Sequence, residues 1–213
     1  MTTIESQRSA MVESQLRARG ISDPHVLDAM ATIPREAFVE DDDRSRAYED
    51  RALSIAAGQT ISQPYVVALM LEAARLTPEA RVLEVGAGSG YAAAVAAQIC
   101  AHVHAVEFHA ELADLARGRL ATLGIGNVTV INADGSQGLS DFAPFDAILV
   151  AAGVDEAPDP LKRQLTVGGR LVIPLGDTRS QALCVIERTG PEDWRETSLG
   201  GVRFVPLVGE HGR

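Results

Sequence analysis

The 213-residue chain contains only two cysteines, Cys100 and Cys184, and no Cys-x-x-Cys pair. A disulfide framework or a thiolate zinc site needs more, so both thiols are expected to be buried and reduced. Positive charge is also short: 19 Lys+Arg stand against 29 Asp+Glu, a formal net charge of -10 and a sequence pI of about 4.9. Nucleic acid and anionic membranes are held mainly by clustered Lys and Arg, so neither is expected as a partner. No apolar run is long enough to span a bilayer, and the charged opening Met-Thr-Thr-Ile-Glu-Ser-Gln-Arg does not read as a signal peptide, so the expected compartment is the cytoplasm. What is present is 46% hydrophobic residues, enough at this length for one globular domain without disulfide or metal support.

The first third reads as helical. Met11, Val12 and Leu16 lie near one face of a helix over 5–19 that Gly20 stops; Val26, Leu27, Met30 and Ile33 repeat at helical spacing between Ser22-Asp23-Pro24 and Pro34. The acidic run Glu40-Asp41-Asp42-Asp43 reads as a solvated loop or helix face. From Arg81 onward strands are expected at 82–85, 103–107, 128–132, 146–151 and 170–174, with helices at 91–100, 110–123 and 158–165. Several strands are apolar on consecutive residues, as parallel strands covered on both faces must be. The fold class is therefore α/β, a doubly wound, Rossmann-like sheet. After Gly176, runs at 181–188 and 202–208 are expected to form an antiparallel hairpin, with Trp194 in its loop. The single domain would comprise a helical N-terminal region (1–76), an α/β core (77–176) and C-terminal strands (177–213).

The segment Leu83-Glu84-Val85-Gly86-Ala87-Gly88-Ser89-Gly90-Tyr91 falls between a strand and an Ala-rich helix, where an open α/β sheet places its cofactor loop. Counted from Gly86, Gly90 arrives one residue early for a Gly-x-Gly-x-x-Gly dinucleotide fingerprint, which weakens pyrophosphate binding. Glu107 ends the next strand, where a carboxylate can accept from both ribose hydroxyls. Asp134, before Gly135, could receive an adenine amino group. Taken singly these are ordinary turn or cap residues. In this order they describe an adenosine site without a phosphate cradle, which fits S-adenosylmethionine better than a nicotinamide or flavin cofactor.

Upstream, Gly58-Gln59-Thr60-Ile61-Ser62-Gln63-Pro64-Tyr65 precedes a helix whose apolar face is Val67, Met70, Leu71 and Ala74. Ser62 is the expected N-cap and Pro64 lies in the first turn; the same helix end could instead receive a carboxylate. Here the sequence resembles the protein-L-isoaspartate (D-aspartate) O-methyltransferase family. Segments resembling that family recur in order along nearly the whole chain, among them Ile33-Pro34-Arg35-Glu36-Ala37-Phe38-Val39, Gly168-Gly169-Arg170-Leu171-Val172-Ile173-Pro174 and Val202-Arg203-Phe204-Val205-Pro206-Leu207. The resemblance implies a class I S-adenosyl-L-methionine-dependent protein carboxyl methyltransferase with added N-terminal helices and a family-specific C-terminal part. It implies Ser62 as the active-site serine, with Glu84, Gly86, Gly88, Gly90, Glu107, Asp134, Gly135 and Gln63 for the cofactor. Thr60, Ile61, Val205 and Leu207 would border the substrate. That substrate would be an isoaspartyl, or D-aspartyl, residue of a damaged protein, whose methyl ester cyclises to a succinimide on the way to repair. A monomer is expected. Two departures stand out: Ala52-Leu53-Ser54-Ile55-Ala56-Ala57 lacks the prolines and glycine of many members, and Ala151-Ala152-Gly153 replaces Thr-Ala-Ala or Gly-Ala-Ala.

The chemistry needs little acid or base. A carboxyl with an ordinary pKa of about 4 is already ionised at neutral pH, so the tasks are alignment and exclusion of water. No metal is expected, since His102 and His104 alternate along a strand without a recognisable third ligand. Ser62 lacks an assignable His partner and a Gly-x-Ser-x-Gly elbow, against a covalent role. A methyltransferase for another carboxylate and a non-catalytic cofactor-binding module are the alternatives. A net charge of -10 should repel anionic peptides, so donors near Ser62 must attract the carboxylate and added salt should raise kcat/KM for an acidic peptide.

Overall fold

The computed structural model describes residues 3–212. Thr3 caps α1 (Ile4–Ala10), which continues as a π-helical turn (Met11–Leu16) and a 3-10 turn (Arg17–Arg19) before Gly20, at φ 97, ends it. Asp23 accepts from the His25 N–H at 2.8 Å to cap α2 (Pro24–Thr32). The acidic run enters a 3-10 turn (Asp41–Arg46) that buries nothing, and Asp41 and Asp43 pair with Arg44 and Arg46. A short antiparallel pair, β1 (Leu53–Ser54) and β2 (Thr60–Ile61), leads into α3 (Pro64–Ala74).

The core then unrolls as β3 (Arg81–Val85), α4 (Tyr91–Ala96), β4 (His102–Glu107), α5 (Ala110–Thr122), β5 (Val128–Asn132), β6 (Phe145–Val150), α6 (Asp159–Arg163), β7 (Leu165–Gly176), β8 (Gln181–Arg188) and β9 (Trp194–Val202). They form one seven-stranded sheet, ordered β5-β4-β3-β6-β7-β8-β9. Strands β3 to β7 run parallel, and β8 and β9 antiparallel. Alternate residues serve opposite layers: Val82, Ala105, Ala147 and Val172 pack with the N-terminal helices, while Leu83, Val106, Ile148 and Leu171 face a second cluster with Leu161 of α6. Burial on both faces accounts for the consecutive apolar runs.

Several boundaries differ from expectation: the helix expected over 91–100 ends at Ala96, and the strand expected over 170–174 runs from Leu165 to Gly176. The helix expected over 158–165 stops at Arg163 because Leu165 already pairs with Phe145 as β7 begins. The second strand of the hairpin is Trp194–Val202, not 202–208, and Trp194 is its first residue instead of a loop residue. This edge strand is exposed along nearly its whole length, so nothing forces an apolar alternation on it. Residues 202–208 are apolar for another reason: they return across the carboxyl ends of the parallel strands, where Pro206 bridges Gly153.

Candidate active site

A cleft opens at the carboxyl ends of β3, β4 and β6, where the chain order reverses across the sheet. Open α/β sheets bind ligands at this switch point. Its floor is the glycine loop. Gly86 and Gly88 have φ of 87° and 53°, a left-handed backbone that favours glycine. The N–H groups of Gly86 and Ala87 donate to the Val106 carbonyl at 2.8 and 3.0 Å, tying the loop to β4. Gly90 does not border the cleft: a Cβ there would lie 3.2 Å from the Ala116 Cβ, so this glycine lets α5 pack close.

Glu107 borders the cleft and is 4% exposed. Its Oε2 accepts from the Gly88 N–H at 2.8 Å and its Oε1 from the His109 N–H at 2.9 Å. Two anchors fix the carboxylate and leave further lone pairs for a ligand hydroxyl. Glu84 lies beside it with Oε2 buried and without a hydrogen-bond partner. Burial first, and the Glu107 charge second, push the Glu84 carboxyl up to about 8, against the opposing pull of the Ala93 backbone. An orphaned acceptor next to a carboxylate suits a ligand that brings donors and positive charge.

Asp134 follows the end of β5, as expected, and its carboxylate is engaged within the chain. Its Oδ1 accepts from the N–H and Oγ of Ser136 at 2.9 and 2.7 Å, and its Oδ2 from the Glu210 N–H at 2.8 Å. Burial acts upward on this carboxyl, yet those hydrogen bonds hold it below the usual value. It caps a 3-10 turn and fastens the C-terminal tail, and it does not line the cleft. Gly135 does line it, and a Cβ at that position would sit 2.7 Å from Val85 Cγ1.

On the other side, Thr60, Ile61 and Ser62 enter the cleft wall from β2. The N-cap of α3 is Gln63 and not Ser62, and no side chain caps it. Pro64 has no N–H to offer, while the Val66 and Val67 N–H groups both turn to the Gln63 carbonyl at 3.0 and 3.2 Å. The helix end therefore contributes few donors, and the Ser62 hydroxyl is free of capping duty. Gln63 borders a neighbouring groove, not the cleft; Ser62 and Thr60 border both.

Val205 and Leu207 complete the wall. The Gly153 N–H donates to Val205 O at 2.7 Å and the Leu207 N–H to Gly153 O at 2.8 Å. The buried Gln181 amide secures the same segment at Phe204, and a Cβ on Gly153 would stand 2.2 Å from Gln181 Nε2. The departure at Ala151-Ala152-Gly153 thus makes room for Gln181. Sequence reasoning missed Gln181, Phe108 and Tyr91. Phe108 was available as the residue after the strand-ending Glu107; Tyr91 borders the cleft above the buried Arg35 guanidinium, 5.0 Å from its ring centre, a pairing no local pattern announces.

Comparison with known proteins is consistent along the whole chain. The family model described as Protein-L-isoaspartate(D-aspartate) O-methyltransferase matches residues 6–212. A Protein-L-isoaspartate O-methyltransferase of Roseiflexus castenholzii is 56% identical over 97% of this chain and 94% of its own length. Protein-L-isoaspartate O-methyltransferase 1 of Rhodopseudomonas palustris is 53% identical over 99% of this chain and 86% of its own. Among solved structures, a protein-L-isoaspartate O-methyltransferase superposes with a TM-score of 0.87 at 33% identity, covering 96% of this chain and 67% of that one. A Plasmodium falciparum structure assigned to the same activity, in complex with S-adenosyl-L-homocysteine, has a TM-score of 0.82 at 27% identity, covering 94% of this chain and 98% of that one.

Proposed function

The chain belongs to the protein-L-isoaspartate (D-aspartate) O-methyltransferase family, and we propose that the cleft between the glycine loop and Ser62 is where it performs that family's reaction. It transfers a methyl group from S-adenosyl-L-methionine to isoaspartyl carboxylates of proteins. The observation that carries the assignment of the site is the convergence of Glu84, Gly86, Gly88, Glu107 and Gly135 with Thr60, Ile61 and Ser62 on one cleft.

The residues fit the cofactor. When bound, it supplies an electrophilic methyl group on a sulfonium sulfur. Glu107, anchored by two backbone N–H groups, offers its remaining lone pairs to the ribose hydroxyls. Glu84, with an unpartnered Oε2, suits the cationic amino-acid part. Gly86 and Gly88 let the backbone approach, and Gly135 and Phe108, which line the same cleft, would flank the base. The Ser62 hydroxyl donates to the incoming carboxylate and orients it, with no proton to remove because the substrate is already ionised. Val205 and Leu207 exclude water from the junction, where opposite charges meet and annihilate. The ester would then close to a succinimide and enter repair, in the cytoplasm.

The test supplies methyl-labelled S-adenosyl-L-methionine with paired peptides that differ only in Asp or isoAsp. Base-labile label on the isoAsp peptide alone is the expected result. Equal labelling of both points to another carboxylate substrate, and tight cofactor binding without labelling to a non-catalytic module.

A further inference from the structure

The fold assembles a basic groove that is invisible along the sequence. Next to the cleft, sharing Thr60 and Ser62 with it, runs a groove of about 700 Å³. Among the described residues three arginines line it, Arg19 from the end of the first helical run, Arg179 from the β7–β8 turn and Arg203 from beyond β9, and no Asp or Glu does. In a chain of net charge -10 that is an inverted local balance. Arg19 sits over the Tyr65 ring, its Cζ 3.5 Å from the ring centre, and pairs with Asp50 at 2.8 Å, so its charge is partly compensated. Arg179 and Arg203 are exposed. The nearby Asp177 does not border the groove, and its Oδ1 accepts from the N–H groups of Arg179 and Ser180 at 2.7 and 2.8 Å. Leu199 and Phe204 add apolar wall between the charges.

A polypeptide whose isoaspartyl carboxylate reaches Ser62 has to continue past Ser62, and the groove is the space that adjoins it. We propose that this groove is a subsite for the chain flanking the isoaspartyl residue, and that Arg179 and Arg203 select flanks bearing Asp or Glu. The proposal rests on the isoaspartyl reaction assigned above. A guanidinium presents a planar fork to a carboxylate, which makes arginine suited to such recognition. At physiological salt the screening length is about 8 Å, so a flank in the groove feels these arginines more than the distant acidic surface. The salt effect on an acid-flanked peptide is then opposite in sign to that expected from net charge alone: added salt lowers its kcat/KM.

The experiment uses three isoaspartyl peptides identical except for flanks of two Glu, two Gln or two Lys, with the full chain and its R179Q/R203Q variant. For the wild type, kcat/KM is expected to be about threefold to tenfold higher with Glu than with Lys flanks, carried by KM, and the ratio to shrink with salt. In the double variant the ratio should fall toward one. Both positions are exposed, and an unchanged Tm confirms that the variant folds. No flank preference in the wild type, or a preference that survives R179Q/R203Q, overturns the subsite while leaving the isoaspartyl reaction standing. Failure to methylate any of the three peptides overturns the reaction itself, and the subsite with it.

Discussion

The Gln181 side-chain amide grips the Phe204 backbone at both polar groups: Oε1 accepts from the Phe204 N–H at 2.7 Å, and Nε2 donates to the Phe204 carbonyl at 3.3 Å. Gly153 gives this amide its space. The first strand residue of β8 is thereby fixed to the segment that walls the cleft at Val205 and Leu207.

Gly153→Ala should undo that grip. The added methyl would overlap Gln181 Nε2, and forcing extra atoms into a packed site costs roughly 1–3 kcal/mol. The peptide KM should rise while the cofactor Kd, set by the glycine loop and Glu107, stays near wild type. Steady-state kinetics with calorimetric cofactor titration checks this; equal losses in both constants would show that Gly153 supports the whole cleft instead of its C-terminal wall.

Ser62→Ala separates catalysis from capping. Because Gln63 occupies the cap position, stability should fall by less than the roughly 1 kcal/mol a lost serine cap typically costs, and Tm should barely move. Turnover should fall about tenfold to a hundredfold, the scale of one hydrogen bond to a charged group. A large drop in Tm with intact turnover would reverse the assignment.

Ala57 is an alanine in left-handed backbone, at φ 54° and ψ 25°, in the stretch that departs from the family pattern. Left-handed backbone costs an alanine roughly 1–2 kcal/mol, whereas glycine adopts it freely but loses more entropy on folding. Ala57→Gly should therefore leave stability unchanged or raise it by up to about 1 kcal/mol, against the usual loss for such a change elsewhere. Thermal unfolding decides: a clear fall in Tm would mean that this backbone is not strained.

Much of the fold is legible in the sequence because the physics is local. Buried strands announce themselves by apolar runs, and β3, β4 and β8 fall where such runs lie. Gly86, Gly88 and Glu107 can be placed because the end of a parallel strand delivers its next residues to the ligand side of the sheet. What local reading does not supply shares one cause, a partner distant in sequence. Asp134 has the position of a cofactor residue along the chain, and only the fold brings the Glu210 N–H to claim it. Gly90 answers to Ala116, and the groove needs Arg19, Arg179 and Arg203 brought together. The strand Trp194–Val202 carries no apolar signal because only β8 touches it in the sheet.

Glu84 ties stability and cofactor binding to pH. Burial raises its carboxyl from an ordinary 4.5 to about 8. A raised carboxyl leaves stability untouched below pH 4.5, where both folded and unfolded chains hold the proton. Above it the unfolded chain ionises and the folded one does not, so the contribution of Glu84 falls steadily until the folded group ionises near 8. Glu84→Gln is neutral throughout and escapes this loss. The Tm of the variant relative to wild type should thus climb from pH 5 to pH 8 in the absence of cofactor. Cationic cofactor favours the ionised form, so its binding should release protons from the wild type below pH 8 and fewer from Glu84→Gln, with weaker affinity in the variant. Calorimetry in buffers of different ionisation enthalpy measures that release. A Tm difference that does not change with pH, together with equal proton release, would show that Glu84 is already ionised in the folded protein and that its Oε2 has a partner.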